Sequence, residues 1–272
     1  MAKKTMFAAA LMFVGLLCLS VSALAQTAIP AGSTGVAYPS ATSYPGSFRL
    51  AFGDQSPVEG GNIQLNSYFE QGATVYRHGF FSIVPYASLN FMTDTYGYDW
   101  NNNIQTNGGV KANFVLRHGI VTVGGAYSFE DRFKSGTLYS SPTYYVSDWF
   151  GWKNARVKTS RFPGDTWAIA GHITPIESGN YIFTTYVEQG VVAKRFHRVV
   201  IVPIAVGTFS KDTLGYSWNN YVRPGGGVDF VLPKGMDLLA VYLHETRSGH
   251  VSAGEFSLTL KIWRGWAFKG RS

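Results

Sequence analysis

Three things are scarce in this chain: cysteine, charge and long apolar runs. The 272 residues include one cysteine, Cys18. It lies in an N-terminal stretch with the layout of a cleaved secretory signal: Lys3 and Lys4, a mostly apolar Met6 to Leu19, then small residues at Ala23 and Ala25. Leu17 precedes Cys18, which argues against a lipoprotein anchor. With residues 1–25 removed, no thiol is left for a disulfide or for cysteine chemistry. Charged residues make up 14% of the chain, against about 25% in an ordinary soluble domain. The formal net charge of +7 comes from scattered residues, whereas a nucleic-acid partner needs a clustered basic face; none is expected. After residue 26 there is neither an apolar run long enough for a membrane helix nor an apolar stripe of helical period.

Catalytic motifs are also missing. There is no G-x-S-x-G elbow, no phosphate loop of the G-x-x-x-x-G-K-[ST] kind, and no H-E-x-x-H. His244-Glu245 is followed by Thr-Arg-Ser-Gly-His250, the wrong spacing for a zinc helix. No enzyme activity, cofactor or metal is expected.

What is present is aromatic and alternating. Aromatics make up 15% of residues, and apolar and polar positions alternate with period two, the mark of half-buried strands. Ile63, Leu65 and Phe69 oppose Gln64, Asn66, Tyr68 and Glu70. Phe256, Leu258, Leu260 and Ile262 oppose Ser257, Thr259 and Lys261.

The chain also matches itself. YFEQG at 68–72 returns as YVEQG at 186–190, IVPYA at 83–87 as IVPIA at 201–205, and DTYGYDWNN at 94–102 as DTLGYSWNN at 212–220, each 118 residues on. GGVKANFVL at 108–116 meets GGVDFVL at 226–232, AYSFEDR at 126–132 meets VYLHETR at 241–247, and WFGW at 149–152 meets WRGW at 263–266. The period is too long for a solenoid repeat or a propeller blade, so each copy is a block of several strands. The first block has a strand ending near Gln55, then strands near 61–76, 79–92, 103–117, 119–132 and 143–153.

Six and six predict an all-β, antiparallel transmembrane β-barrel of about 12 strands, built from two tandem six-strand repeats. Residues 26–43 form a flexible lead-in and 44–272 the barrel, with repeat one at 44–153 and repeat two at 162–268. VVIVPIAV at 199–206 is apolar on both faces, which suits the rival arrangement of two tandem soluble β-domains.

In a closed barrel the two DTxGYxWNN turns sit at opposite sides of one rim. Asp, Asn and Gly are turn formers, and Tyr98, Trp100, Tyr216 and Trp218 are rim aromatics suited to a headgroup or a sugar ring. Calcium is disfavoured there because Asp99 is replaced by Ser217. Tyr68, Glu70, Glu130, Arg132, Tyr186, Glu188, Glu245 and Arg247 fall on polar faces and are expected in the lumen, where they either line a pore or knit it shut.

The whole chain resembles a Gram-negative outer-membrane β-barrel protein. The succession Y-x-E-Q-G, V-P-[YI]-A, D-T-x-G-Y and G-G-V is also similar to the C-terminal barrel of the bacteriophage adsorption protein A family. The helical-repeat region of that family is absent. The resemblance implies the outer membrane and its lipid as surroundings, with envelope polysaccharide or periplasmic export partners. Three functions follow as expectations: a passive channel or export barrel for polar solute or polysaccharide, a closed structural or receptor barrel working through loops such as 134–143 and 153–165, or a membrane-embedded hydrolase.

Overall fold

A computed structural model describes residues 43–249 and 251–269. The expected signal sequence and the expected lead-in up to residue 42 lie outside these. Twelve long strands form one ring: β1 (Ser43–Asp54), β2 (Ile63–Gly72), β4 (Phe81–Asp94), β5 (Asn103–Val115), β6 (Gly119–Arg132), β7 (Thr137–Lys153), β8 (Gly164–His172), β9 (Ile182–Gly190), β11 (Val199–Asp212), β12 (Tyr221–Leu232), β13 (Met236–Arg247) and β14 (Ser252–Lys269). Two short strands, β3 (Tyr76–His78) and β10 (Lys194–Phe196), pair only with β4 and β11. Each long strand pairs antiparallel with its sequence neighbours, and β14 pairs with β1, from Ser43↔Lys269 to Gly53↔Thr259. The ring has no free edge, so every wall strand has partners on both sides, as lipid requires.

Register carries one face unbroken around the ring. Arg49 lies beside Tyr68 and Trp263, Tyr68 beside Asn90, and Glu130 beside Gln105 and Tyr139; these point into the lumen. The opposite face carries Phe52, Val110, Val123, Val146, Val187, Val222 and Leu258, all exposed. A charge on that wall at the bilayer midplane costs about 2–4 kcal/mol, which accounts for the alternation seen in the sequence. Apolar outside and polar inside is the build of an outer-membrane barrel. Near the rim that holds Ser43 and Lys269, here called lower, Trp152 and Trp266 lie on the outer wall. Their indoles donate to Gln189 and Gln71, each at 3.0 Å, as interfacial aromatics do.

Two expectations are corrected. β7 begins at Thr137 rather than near 143, so 134–143 is not a loop. Its outer face there is Leu138, Ser140 and Pro142, which carries too little apolar signal to read as strand, yet it is fully paired with β6. The doubly apolar 199–206 stretch does not belong to a separate soluble domain. Its inner residues Val200, Val202 and Ile204 pack inside the barrel with Val231, Leu239, Val241 and Leu243. Ala155, from the segment after β7, joins them. Burying such side chains contributes about 1.5–3 kcal/mol each, so part of this lumen is a small hydrophobic core.

Candidate functional site

The lumen is the site, and it is built in layers. At the upper rim each DTxGYxWNN turn is organised around one carboxylate. Asp94 Oδ1 accepts from the backbone N–H of Gly97 and Tyr98 at 2.6 and 3.2 Å and from Asn102 Nδ2 at 2.7 Å. Its Oδ2 accepts from Asn62 and Asn101 at 2.8 and 3.0 Å. Both of those amides also donate to Glu59 Oε2, at 2.9 and 2.8 Å. Asp212, Asn180, Asn219, Asn220 and Glu177 repeat the arrangement on the far side of the barrel. Tyr98 stacks on Trp100 at 4.7 Å and Tyr216 on Trp218 at 4.6 Å, and both indoles donate to the local glutamate. Partial burial works to raise the Asp94 and Asp212 carboxyls. The surrounding amide and backbone donors outweigh it and hold both below the usual carboxylate range.

These turns anchor two segments that lean inward. From β1 the chain crosses over β14 and β13, where Gln55 O accepts from Arg223 Nη1 at 2.9 Å and Ser56 Oγ donates to Glu245 at 3.4 Å. From β8 the chain crosses over the first half, where Ile173 O accepts from Gln105 Nε2 at 3.5 Å. Glu245, fully buried, holds Arg223 and Arg247 each at 2.5 Å. Glu130, 5% exposed, has one guanidinium partner among the described residues, Arg132 at 3.4 Å, and a hydrogen bond with Thr174. Both Glu–Arg pairs lie on the inward face of the register, as staples beneath the inturned segments.

Mid-barrel, Tyr68 OH donates to Glu70 at 2.8 Å, and Lys111 meets Glu70 at 2.5 Å. Tyr145 OH donates to Tyr86 OH at 3.5 Å, spanning from β7 to β4. In the second half Tyr186 OH donates to Glu188 at 2.6 Å, but no lysine follows. Asp165, Asp229 and Asp237 share that region with Glu188, Arg156 and Lys261. Arg156 reaches across the lower mouth to Asp237 at 2.7 Å, and its chain segment is held by Arg195, which donates to the carbonyls of Ala155, Val157 and Ser160.

At the axis Trp149 of β7 and Trp263 of β14, six strands apart in a ring of twelve, meet edge to face with centroids 6.1 Å apart. Arg49 sits 5.2 Å over Trp263 and 6.0 Å over Tyr68. The eight residues expected in the lumen lie on the inward-facing register of their strands; Lys111, Trp149, Trp263, Asp229 and Arg223, on the same face, were not singled out from the sequence. The signal was present in the matched WFGW and WRGW segments and in the K-for-D exchange between GGVK and GGVD.

No family model matches the chain, and no curated protein matches it; the similarity to the adsorption protein A family is not shown. Among solved structures, the beta domain of the Bordetella autotransporter Brka is 13% identical with a TM-score of 0.41, covering 85% of this chain and 100% of that one. The COG4313 outer membrane channel from Pseudomonas putida F1 is 8% identical with a TM-score of 0.43, covering 88% and 100%. The translocator domain of autotransporter NalP from Neisseria meningitidis is 11% identical with a TM-score of 0.31, covering 96% of each.

Proposed function

We propose that this is an outer-membrane barrel whose lumen is held shut, a non-enzymatic structural or surface-recognition barrel rather than a passive pore. The observation that carries this reading is the Trp149–Trp263 contact across the axis. The inturned segments above it and the Arg156 segment below it support the same reading. The stacked pairs Tyr98–Trp100 and Tyr216–Trp218, with Trp100 52% and Trp218 53% exposed, supply the upper rim with apolar faces for recognition. Export of a polysaccharide would require these contacts to part. The Ser252–His244 contact, 3.0 Å between Oγ and Nε2, gives a hydrolase no support, because the register puts both on the outer wall, away from the lumen carboxylates.

Planar-bilayer recording of the folded protein tests the proposal. The wild type should be silent and the variant carrying Trp149→Ala and Trp263→Ala should conduct. Steady open-channel current through the wild type would overturn it and restore the channel reading.

A further inference from the structure

The two halves of the lumen carry opposite charges at one matched position. In the first half the Lys111 ammonium lies 2.5 Å from Glu70. The residue 118 positions on from Lys111 is Asp229, which faces the lumen between Val202 and Leu239. An ion pair in one half is thus answered by an excess of carboxylates in the other.

These carboxylates surround a cavity of about 140 Å³ lined by Asp165, Glu188, Asp229 and Asp237, with Trp149 and Trp263 among its walls. Asn154, Arg156 and Gly235 also line it, on the side of the lower rim. Arg156 is committed to Asp237 at 2.7 Å. Lys261, paired in register with Asp237, holds its ammonium 5.6 Å over the Tyr186 ring. Among the described side chains, two cations serve these four carboxylates. Asp229 is 8% exposed, and its Oδ1 is buried with no hydrogen-bond partner among the described residues. An unpaired buried carboxylate oxygen is costly, and this one borders the empty space.

We propose that the cavity binds a small primary aliphatic amine, whose ammonium takes the place that Lys111 fills in the other half. An ammonium has three donors to share among separated carboxylates, and the indole walls suit an organic cation. A metal ion suits the site less well, since among the described residues no group of three or more His, Cys, Asp or Glu side chains is arranged to hold one. A quaternary ammonium has no N–H for Asp229 Oδ1. The proposal holds whether or not the barrel conducts.

The test titrates 1,4-diaminobutane into the detergent-folded full-length barrel, followed by calorimetry and by the fluorescence of the wall tryptophans. The wild type should bind saturably at one site, and neither tetramethylammonium nor Mg²⁺ at equal concentration should displace the amine. Asp229→Lys should weaken binding at least tenfold, because the variant carries its own ammonium. Asp229→Asn should also weaken it, and gel mobility with and without boiling checks that each variant is folded. Absence of saturable binding to the wild type overturns the proposal. So does equal displacement by Mg²⁺ or tetramethylammonium, a measurement on the wild type alone, or unchanged affinity in a folded variant.

Discussion

Replacing Glu245 with glutamine should cost more than the same change at Glu130, although both glutamates face the lumen below the upper rim. Glu245 is fully buried and holds two guanidiniums, Arg223 and Arg247, whose side chains are 18% and 19% exposed. Neutralising it leaves two partly buried positive charges facing each other with one amide oxygen between them. Breaking a buried pair costs about 3–5 kcal/mol, and the retained oxygen places Glu245→Gln near the lower end. Glu130 has one guanidinium at 3.4 Å, and Arg132 also lies 3.6 Å from Asp99, so Glu130→Gln gives up one charge-assisted contact and should cost about 1.5 kcal/mol. The difference of about 1.5 kcal/mol is roughly tenfold in the folding equilibrium. Urea titration of the micelle-folded barrel, read by tryptophan fluorescence, measures both. Protease cleavage between Gln55 and Asn62 should also accelerate in Glu245→Gln alone, since Arg223 and Ser56 hold that segment. Equal costs for the two variants, or a larger one at Glu130, would refute the reasoning.

Two further outcomes follow. Asp94 and Asp212 have folded values below the ordinary carboxylate value of about 3.9. Their contribution to stability is therefore fully present above that value and lost as pH falls through the lower folded one; the urea midpoint of the wild type should drop between pH 5 and pH 2 more steeply than that of a variant with both changed to asparagine. Gly53 and Gly171 have φ of +148° and +156°, and a Cβ on either would fall 2.1 Å from a carbonyl oxygen of a paired strand, Leu258 O of β14 or Tyr144 O of β7. Gly171→Ala should lower the thermal midpoint by several degrees, while Gly136→Ala, strained in φ but in open space, should lower it less.

The ring was legible in the sequence because lipid enforces alternation: Phe256, Leu258 and Leu260 against Ser257, Thr259 and Lys261 place a strand and its faces without further help. The same rule hid what lies inside. A lumen residue is free of the lipid constraint, so it can be polar, as at Lys111, or apolar, as at Val202 and Leu239, and the apolar ones blur the alternation. The start of β7 was missed where the outer wall is Ser140 and Pro142. The contacts that close the lumen join strands far apart around the ring, Trp149 to Trp263 and Arg223 to Gln55, and no local pattern announces them. The aromatic turns were legible as turns. Their role in pinning the inturned segments required Asn62 and Glu59, more than thirty residues away, to be seen beside Asp94.

The pairing of β1 with β14 also dictates how the molecule must assemble. Every other neighbour in the ring is joined by a short connection, so those hairpins form at little loop-closure cost. The seam brings together positions roughly 200 residues apart, a contact that cannot be rewarded until all the intervening strands are arranged. Until then both end strands are open templates for pairing with another chain. The last step of folding is therefore the one that decides yield: a chain that zips its seam becomes a monomeric ring, and one that is delayed offers two sticky edges to its neighbours.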